Sequence, residues 1–342
     1  MMMQKIKFMS ISLLLILLAP FGINCAPKIV GLVPIRNEAD IIGTCLKALS
    51  IYTDAIVVLL DASTDNSANI VRSLQEKLKI EVIIEEKISG WQYRTEVDNR
   101  NKLLAAGRAI GGTHFIAIDA DEIFSAPCAK NNWLRKQILA LEKGQILHIM
   151  LVNLWKGFDK FRADELGMDP SMVYCSAIMC DDGQSNMDGK LEKSPNGFMH
   201  VGRFPSLESR KVKSGKDLCI PKADLGHILV HLAYVDWNYY LIKRAWYLCL
   251  EKVRLGQFPK NKNSITVINE LYSKKRFFDP KLAILKPVKQ KWLNYKFFDK
   301  NIYLKRAENW RKKELNIWFE QYGSSFFEQL DFGIDIHELL QA

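Results

Sequence analysis

Phe115-Ile-Ala-Ile-Asp-Ala-Asp-Glu-Ile123 is an apolar run of strand type that passes without a break into three carboxylates. Asp119 and Asp121 stand one residue apart at the end of that run. Two carboxylates so placed can face one cation. Hard divalent ions such as Mg²⁺ or Mn²⁺ take oxygen ligands and bridge to substrate phosphates. An ion held there neutralises charge on a departing diphosphate. Alone, Asp-x-Asp is a weak signal, because aspartates after strands also form turns and caps. Its surroundings give it meaning.

Upstream, Lys28-Ile-Val-Gly-Leu-Val33 reads as a buried strand ending at Pro34, and Ala55-Ile-Val-Val-Leu-Leu60 as a second. Between them, Ile41, Ile42, Cys45, Leu46 and Leu49 recur at helical spacing over 38–50. Ser63-Thr64-Asp65 offers an N-cap to a helix carrying Ile70, Val71, Leu74 and Leu78. A third strand covers 80–84, a helix 97–110, and a fourth strand 114–118. A helix near 130–142 and a strand near 146–153 complete the series. Strands alternating with helices predict an α/β fold, a Rossmann-like, mainly parallel sheet with helices on both faces. Ligands of such sheets bind outside the carboxyl ends of the strands. Arg36-Asn37-Glu38, Asp61 and Asp119–Asp121 each follow a strand, so they are expected on one rim.

In order, Pro34-Ile-Arg-Asn-Glu38, Asp61-Ala-Ser-Thr-Asp-Asn66, Arg100-Asn101 and Asp119-Ala-Asp-Glu122 resemble the GT-A glycosyltransferases of the family 2 type, in their bacterial Arg-Asn-Glu and Asp-Ala-Asp-Glu variants. The likeness covers roughly residues 28–125. It implies a hexosyl or related transferase that moves a sugar from a nucleotide-sugar donor, UDP- or GDP-linked, to an acceptor hydroxyl with inversion. It implies a divalent cation, Mn²⁺ or Mg²⁺. Asn37 and Glu38 would then line the nucleotide pocket, and Asp61 would lie near base or ribose. Arg100 would sit near the donor diphosphate, Asp119 would contact ribose and metal, and Asp121 would be the direct metal ligand. Two positions depart from the family's Asp-Asp-Gly-Ser-Thr-Asp: Leu60 occupies the base-reading slot, and Ala62 replaces glycine. For Asp65, helix capping is the simpler role.

A haloacid-dehalogenase type of phosphatase also places Asp-x-Asp after an apolar strand. It expects Thr or Val where Ile123 stands, and it carries the motif near the start of its domain. Two other classes remain beside the transferase: a non-catalytic nucleotide- or glycan-binding relative, and a metal-dependent phosphotransferase or phosphatase.

After residue 155 the alternation fades. The stretch 156–217 reads as loops with short strands, and an amphipathic helix is expected from Asp236 to Arg254, with Trp237, Leu241, Ala245 and Leu248 aligned. An inverting transfer needs a general base for the acceptor hydroxyl. Asp181 and Asp182, after the apolar run 177–180, are the candidates, against the alternative of a plain Asp-Gly turn. Glu165 and Asp188 are weaker ones. Some GT-A enzymes take a third metal ligand from a downstream histidine. His231 fits best, ahead of His200 and His227, although a histidine in an apolar run is more commonly a satisfied core residue. Trp237, Trp246 and Tyr247 suit sugar stacking and suit core packing better. Basic residues from Lys243 onward suit a phosphorylated or lipid-linked acceptor, with plain solvation as the default.

The chain has 342 residues, 48% of them hydrophobic and 25% charged, a balance that excludes whole-chain disorder. The organisation expected is residues 1–26 as leader, a GT-A catalytic domain at 27–255 with halves 28–125 and 126–255, and a basic, aromatic-rich helical extension at 256–342. A net charge of +10 favours anionic partners, here a nucleotide sugar, a glycan, lipid-linked or protein acceptor, and a membrane surface. No zinc-finger spacing or RNP-like motif points to nucleic acid. Lys5 and Lys7 before the apolar run 8–18 resemble a secretory signal peptide, with an uncleaved anchor as the competing reading. Export or membrane association follows, with the cytoplasmic membrane face as the alternative. Seven cysteines without a CxxC pair are expected as buried free thiols.

Overall fold

In the computed structural model, described for residues 26–87, 96–163, 173–187, 202–221, 224–256, 269, 284–304 and 310–341, strands and helices alternate through the first half of the chain. β1 (Ile29–Ile35), α1 (Ile42–Leu49), β2 (Ala55–Asp61), α2 (Ser67–Leu74), β3 (Ile80–Glu86), α3 (Glu96–Ala109) and β4 (His114–Ala117) follow in that order. The four strands are parallel, in the order β3-β2-β1-β4. Side chains of a strand alternate between faces. On β2, Ile56, Val58 and Leu60 join Ile42, Leu46 and Leu49 of α1, while Ala55, Val57 and Leu59 join Leu103 and Leu104 of α3. A strand covered on both faces must be apolar at every position, hence the unbroken runs in the sequence.

α3 lies close to the sheet because Gly107 faces Phe115: a Cβ at 107 would stand 2.6 Å from that ring. Its buried row of Arg100, Leu103, Leu104 and Gly107 recurs at three- and four-residue spacing, so Arg100 is turned inward with the core residues.

The second half holds β5 (Glu122–Phe124), α4 (Trp133–Leu139), β6 (Ile146–Asn153), β7 (Lys160–Arg162), β8 (Val173–Cys180), β9 (Leu218–Cys219) and β10 (Leu229–His231), and all these strands but β7 continue the same sheet. Beyond β4 the order is β8-β6-β10-β5, with β9 beside β6. β8 is antiparallel to both β4 and β6, and β10 is parallel to β6. The stretch expected as loops thus holds an eight-residue strand. Its apolar end, Ala177–Cys180, runs without alternation into the Asp-Gly turn, which marks where the strand stops but not its direction. β7 pairs with β11 (Leu285–Pro287) in a separate ribbon.

α5 (Trp237–Gly256) and α6 (Trp310–Tyr322) pack on one another. Ile242, Trp246, Leu250 and Val253 share an apolar cluster with Leu315, Phe327 and Leu330. Among the described residues six cysteines are free thiols, five of them buried. No described helix is long and apolar enough to cross a membrane.

Candidate active site

The carboxyl ends of β1, β2, β4, β6 and β10 form one rim, and the acidic motif closes it. After β4 the chain makes a tight turn, in which Glu122 N donates to Asp119 O (3.1 Å) and Asp119 N donates to the Glu122 side chain (2.9 Å). It then returns as β5, antiparallel to β10. Glu122, the residue of the motif most withdrawn from solvent (1% exposed), binds the Arg203 guanidinium at two points, 2.5 and 2.6 Å. Arg203 also donates to Ala117 O (3.0 Å) and lies 3.5 Å from Asp119 Oδ2. Arg100 Nη2 reaches Asp119 Oδ1 at 2.7 Å and Glu96 at 2.8 Å. Burial opposes ionisation of Asp119, but Arg100 and Arg203 outweigh it and hold the carboxyl below the usual carboxylate range.

Asp121 faces two polar side chains from the second half of the chain, His231 and Lys243. The parallel pairing of β10 with β6 sets His231 beside Asn153, and the antiparallel pairing with β5 sets it opposite Glu122. His231 Nδ1 lies 2.6 Å from Asn153 Oδ1. A carbonyl oxygen accepts, so Nδ1 carries a proton there and Nε2 is the nitrogen that faces Asp121 Oδ1, 3.5 Å away: protonated, it pairs with the carboxylate, and deprotonated, it is a donor atom for a metal. The outer partner fixes the ring orientation that a metal-binding imidazole needs. Lys243 Nζ, from α5, lies 2.9 Å from Asp121 Oδ2. Burial again opposes ionisation, and Lys243 and His231 outweigh it, so the Asp121 carboxyl lies well below the usual range.

Among the described residues no group of three or more His, Cys, Asp or Glu side chains stands ready to hold a metal ion. Asp121 and His231 supply one oxygen and one imidazole donor, types that suit Mn²⁺, and a cation that keeps positions for substrate phosphates needs few protein ligands.

On the β1–β2 side the polar residues split. Asn37, with φ +52°, turns its side-chain oxygen to Thr64 N (2.6 Å) and Asp65 N (3.2 Å), so it ties the loop after β1 to the loop after β2. Asp65 accepts from Ser67 N (2.9 Å) and Ala39 N (2.9 Å), a turn just before α2, whose N-cap is Asn66 and carries no side-chain cap bond. Glu38 is buried and lies 3.6 Å from Arg311 of α6. Asp61 ends β2 on the same rim. Leu60 is buried in the core. Ala62 has φ +49°, a left-handed conformation that glycine adopts without steric cost. Arg36 stacks on Trp310 and pairs with Glu314 at 3.0 Å, so α6 leans on this rim.

Asp181 and Asp182 do not join this group. β8 runs opposite to β4, with Cys180 paired to His114, so its carboxyl end lies at the amino end of the parallel strands. Asp181 N donates to Thr113 O there (2.9 Å), and its carboxylate is held by Arg108 at 2.7 and 2.8 Å. Burial opposes ionisation of Asp182, but hydrogen bonds from Ser185 Oγ and from the amides of Ser185, Gln184 and Lys211 prevail and lower its carboxyl to about 2. Such a group is a poor proton acceptor at neutral pH, and it faces the wrong rim. The expectation failed because the apolar run carries no sign of strand direction. His227 also lies on the far side, before β10, where it binds Asp224 (2.7 Å) and stacks on Trp133. Glu165, Asp188 and His200 lie outside the described residues.

Trp246 is core, 3% exposed, with its indole N–H donated to Glu314 (2.8 Å). Trp237 joins Trp155, Tyr234 and Tyr240 in an aromatic cluster beside His231. Three partners of the site had no signal of their own in the sequence: Asn153 at the end of an apolar strand, Arg203 between two loops, and Arg311 on a helix remote in sequence. Lys243 read as a solvated base and is instead buried against Asp121.

A mostly parallel sheet with its acidic motif at the carboxyl rim, extended by antiparallel and mixed strands, is the GT-A glycosyltransferase fold. Residues 32–166 match the family model described as glycosyl transferase family 2, so the chain carries a glycosyltransferase domain of that family and is a transferase. Among solved structures it is similar to Staphylococcus aureus TarS residues 1–349, at 13% identity over 74% of this chain and 73% of that one, with a TM-score of 0.36. It is also similar to the mannosyltransferase PcManGT from Pyrobaculum calidifontis in complex with GDP-Man and Mn²⁺, at 16% identity over 76% and 72% of the two chains, TM-score 0.36. A third is glucosyl-3-phosphoglycerate synthase from Mycobacterium tuberculosis in complex with Mn²⁺, UDP and glucosyl-3-phosphoglycerate, at 18% identity over 38% and 45%, TM-score 0.26. No curated protein sequence matches the chain.

Proposed function

We propose that this transferase binds a nucleoside-diphosphate sugar across the carboxyl rim and moves the sugar, with inversion and with a divalent cation, to an acceptor hydroxyl. The observation that carries the reading is the pairing of Asp121 with His231 Nε2, the imidazole being oriented by Asn153. Asp121, His231 and Asp119 would hold Mn²⁺ or Mg²⁺, which supplies charge stabilisation to the leaving diphosphate. Arg100, locked between Glu96 and Asp119, presents a fixed guanidinium to the same diphosphate. Glu38 and Asp61 border the nucleotide, and Asn37 shapes the loop that does so.

With Asp181 and Asp182 on the far rim, Glu165 and Asp188 are the carboxylates that remain as candidates for the general base. The catalytic unit is 27–255, with 256–342 its helical extension. The leader points to export or membrane association, and the basic balance to a glycan, lipid-linked or protein acceptor near a surface.

The test is a donor panel with Mn²⁺ or Mg²⁺, scoring release of nucleoside diphosphate. One donor should be turned over, and Asp121→Ala or a chelator should abolish release. A folded protein that binds no nucleotide and releases none would sink the reading.

A further inference from the structure

Asp121 already has a cation. Lys243 Nζ sits 2.9 Å from its Oδ2, with 15% of the lysine side chain and 6% of the aspartate side chain exposed. Four further carboxylates of the rim also face cations: Asp119 and Glu96 share Arg100, Glu122 has Arg203, and Glu38 has Arg311. Lys243 and Arg311 come from α5 and α6, both beyond residue 166, where the family match ends. Four cations thus stand against these five carboxylates, so most of their negative charge is balanced before anything binds. A divalent cation entering alone would put two positive charges against an ammonium in a water-poor pocket, where charges interact strongly. A nucleoside diphosphate brings the negative charge that restores the balance.

Resting on the donor-site reading above, we propose that Lys243 is an internal counter-ion that makes metal and nucleotide binding interdependent. Without nucleotide, its ammonium competes with a divalent cation for Asp121. With nucleotide, the ammonium leaves Asp121 for the diphosphate oxygens, and Asp121 becomes open to the metal. No bond is made or broken in this exchange, and the lysine stays protonated throughout. The reaction thereby avoids metal held without donor, a state that would expose a charged site to water. Lys243 is suited to the exchange because an ammonium on a four-carbon stem can swing between two anions, whereas the fixed guanidinium of Arg100 cannot.

The experiment titrates the full, tag-free chain with Mn²⁺ by electron paramagnetic resonance, alone and with saturating UDP or GDP, for wild type, Lys243→Met and Lys243→Arg. In wild type the better of the two nucleotides should tighten Mn²⁺ binding by about tenfold or more, within the usual span of coupling between sites. Lys243→Met should bind Mn²⁺ alone about tenfold more tightly than wild type and lose most of the coupling. Lys243→Arg should resemble wild type for Mn²⁺ alone, because it keeps the charge. Equal Mn²⁺ affinity in wild type and Lys243→Met, or an arginine variant that behaves like methionine, overturns the proposal while leaving the donor site intact. Wild type that binds neither UDP nor GDP, with or without Mn²⁺, removes the donor-site reading and this inference with it.

Discussion

Arg100 and Arg108 stand eight residues apart on α3 and hold carboxylates at opposite rims of one sheet: Arg100 holds Asp119 at 2.7 Å, and Arg108 holds Asp181 at 2.7 and 2.8 Å. At the rise of an α-helix the two guanidinium-bearing positions are separated by about 12 Å along the axis. The helix runs against the strands, so its first turns lie over the carboxyl rim and its last turns over the amino rim. One pair therefore belongs to the active site and the other to the scaffold.

Asp182 belongs to the scaffold as well, and its contribution should depend on pH. Its folded carboxyl lies at about 2, below the ordinary 3.8. A depressed carboxyl stabilises the fold above the unfolded value and loses that contribution as pH falls through the folded value. Asp182→Asn should cost about 2 kcal/mol at pH 7 and progressively less between pH 4 and pH 2. Urea denaturation of both proteins at several pH values reads the difference. Donor turnover at pH 7 should stay within about twofold of wild type, since the residue lies on the far rim. A loss of turnover without loss of stability would return Asp182 to the site.

The reach of the sequence ends at particular residues, for physical reasons. β2, α3, β4 and β6 were legible because apolar period and buried runs are local, and β6 was bounded correctly at 146–153. The acidic motif, Arg100 and His231 were legible because residue type, order and strand ends mark them. Asp181 and Asp182 were misplaced because strand direction is a property of pairing, and no residue of Ala177–Cys180 encodes it alone. Arg203, Asn153 and Arg311 were missed because a side chain whose partner lies 78 or more residues away leaves no local spacing.

His231 should act as a ligand held by Asn153. Asn153 is fully buried, and its side-chain oxygen fixes the imidazole proton at 2.6 Å. Asn153→Ala frees the ring to rotate and should weaken Mn²⁺ binding measured with nucleotide present by about 10–100-fold, the usual effect of losing an outer partner of a metal-bound histidine. His231→Ala should weaken it at least as much. Unchanged Mn²⁺ affinity in both variants would make His231 a core residue.

Arg203 and Glu122 form the most enclosed pair of the motif, with the guanidinium on both carboxylate oxygens. Breaking a buried pair leaves an uncompensated charge, whereas removing both charges is far milder. Arg203→Met should destabilise the fold by about 3–5 kcal/mol. Adding Glu122→Gln should recover a large part of that loss, since the neutral amide has less to lose by burial. Thermal melts of the two single variants and the double variant form a cycle that reads the coupling. Additive losses would show that the two residues act separately.

Ala62 carries a glycine conformation with an alanine side chain, φ +49° directly after β2. A Cβ in the left-handed region costs about 1–2 kcal/mol. Replacing alanine by glycine returns that strain but widens the unfolded ensemble, which costs about 0.4–1 kcal/mol. Strain relief is the larger of the two, so Ala62→Gly should stabilise the protein by up to about 1 kcal/mol. Ala62 N is fixed by hydrogen bonds to Leu60 O (3.1 Å) and Glu86 O (3.0 Å), so the loop keeps its shape in either variant. Nucleotide affinity should then stay the same while the melting temperature rises. A lower melting temperature would mean that the turn relaxes in solution to a conformation alanine prefers, and that Asp61 beside it is not held where the rim requires it.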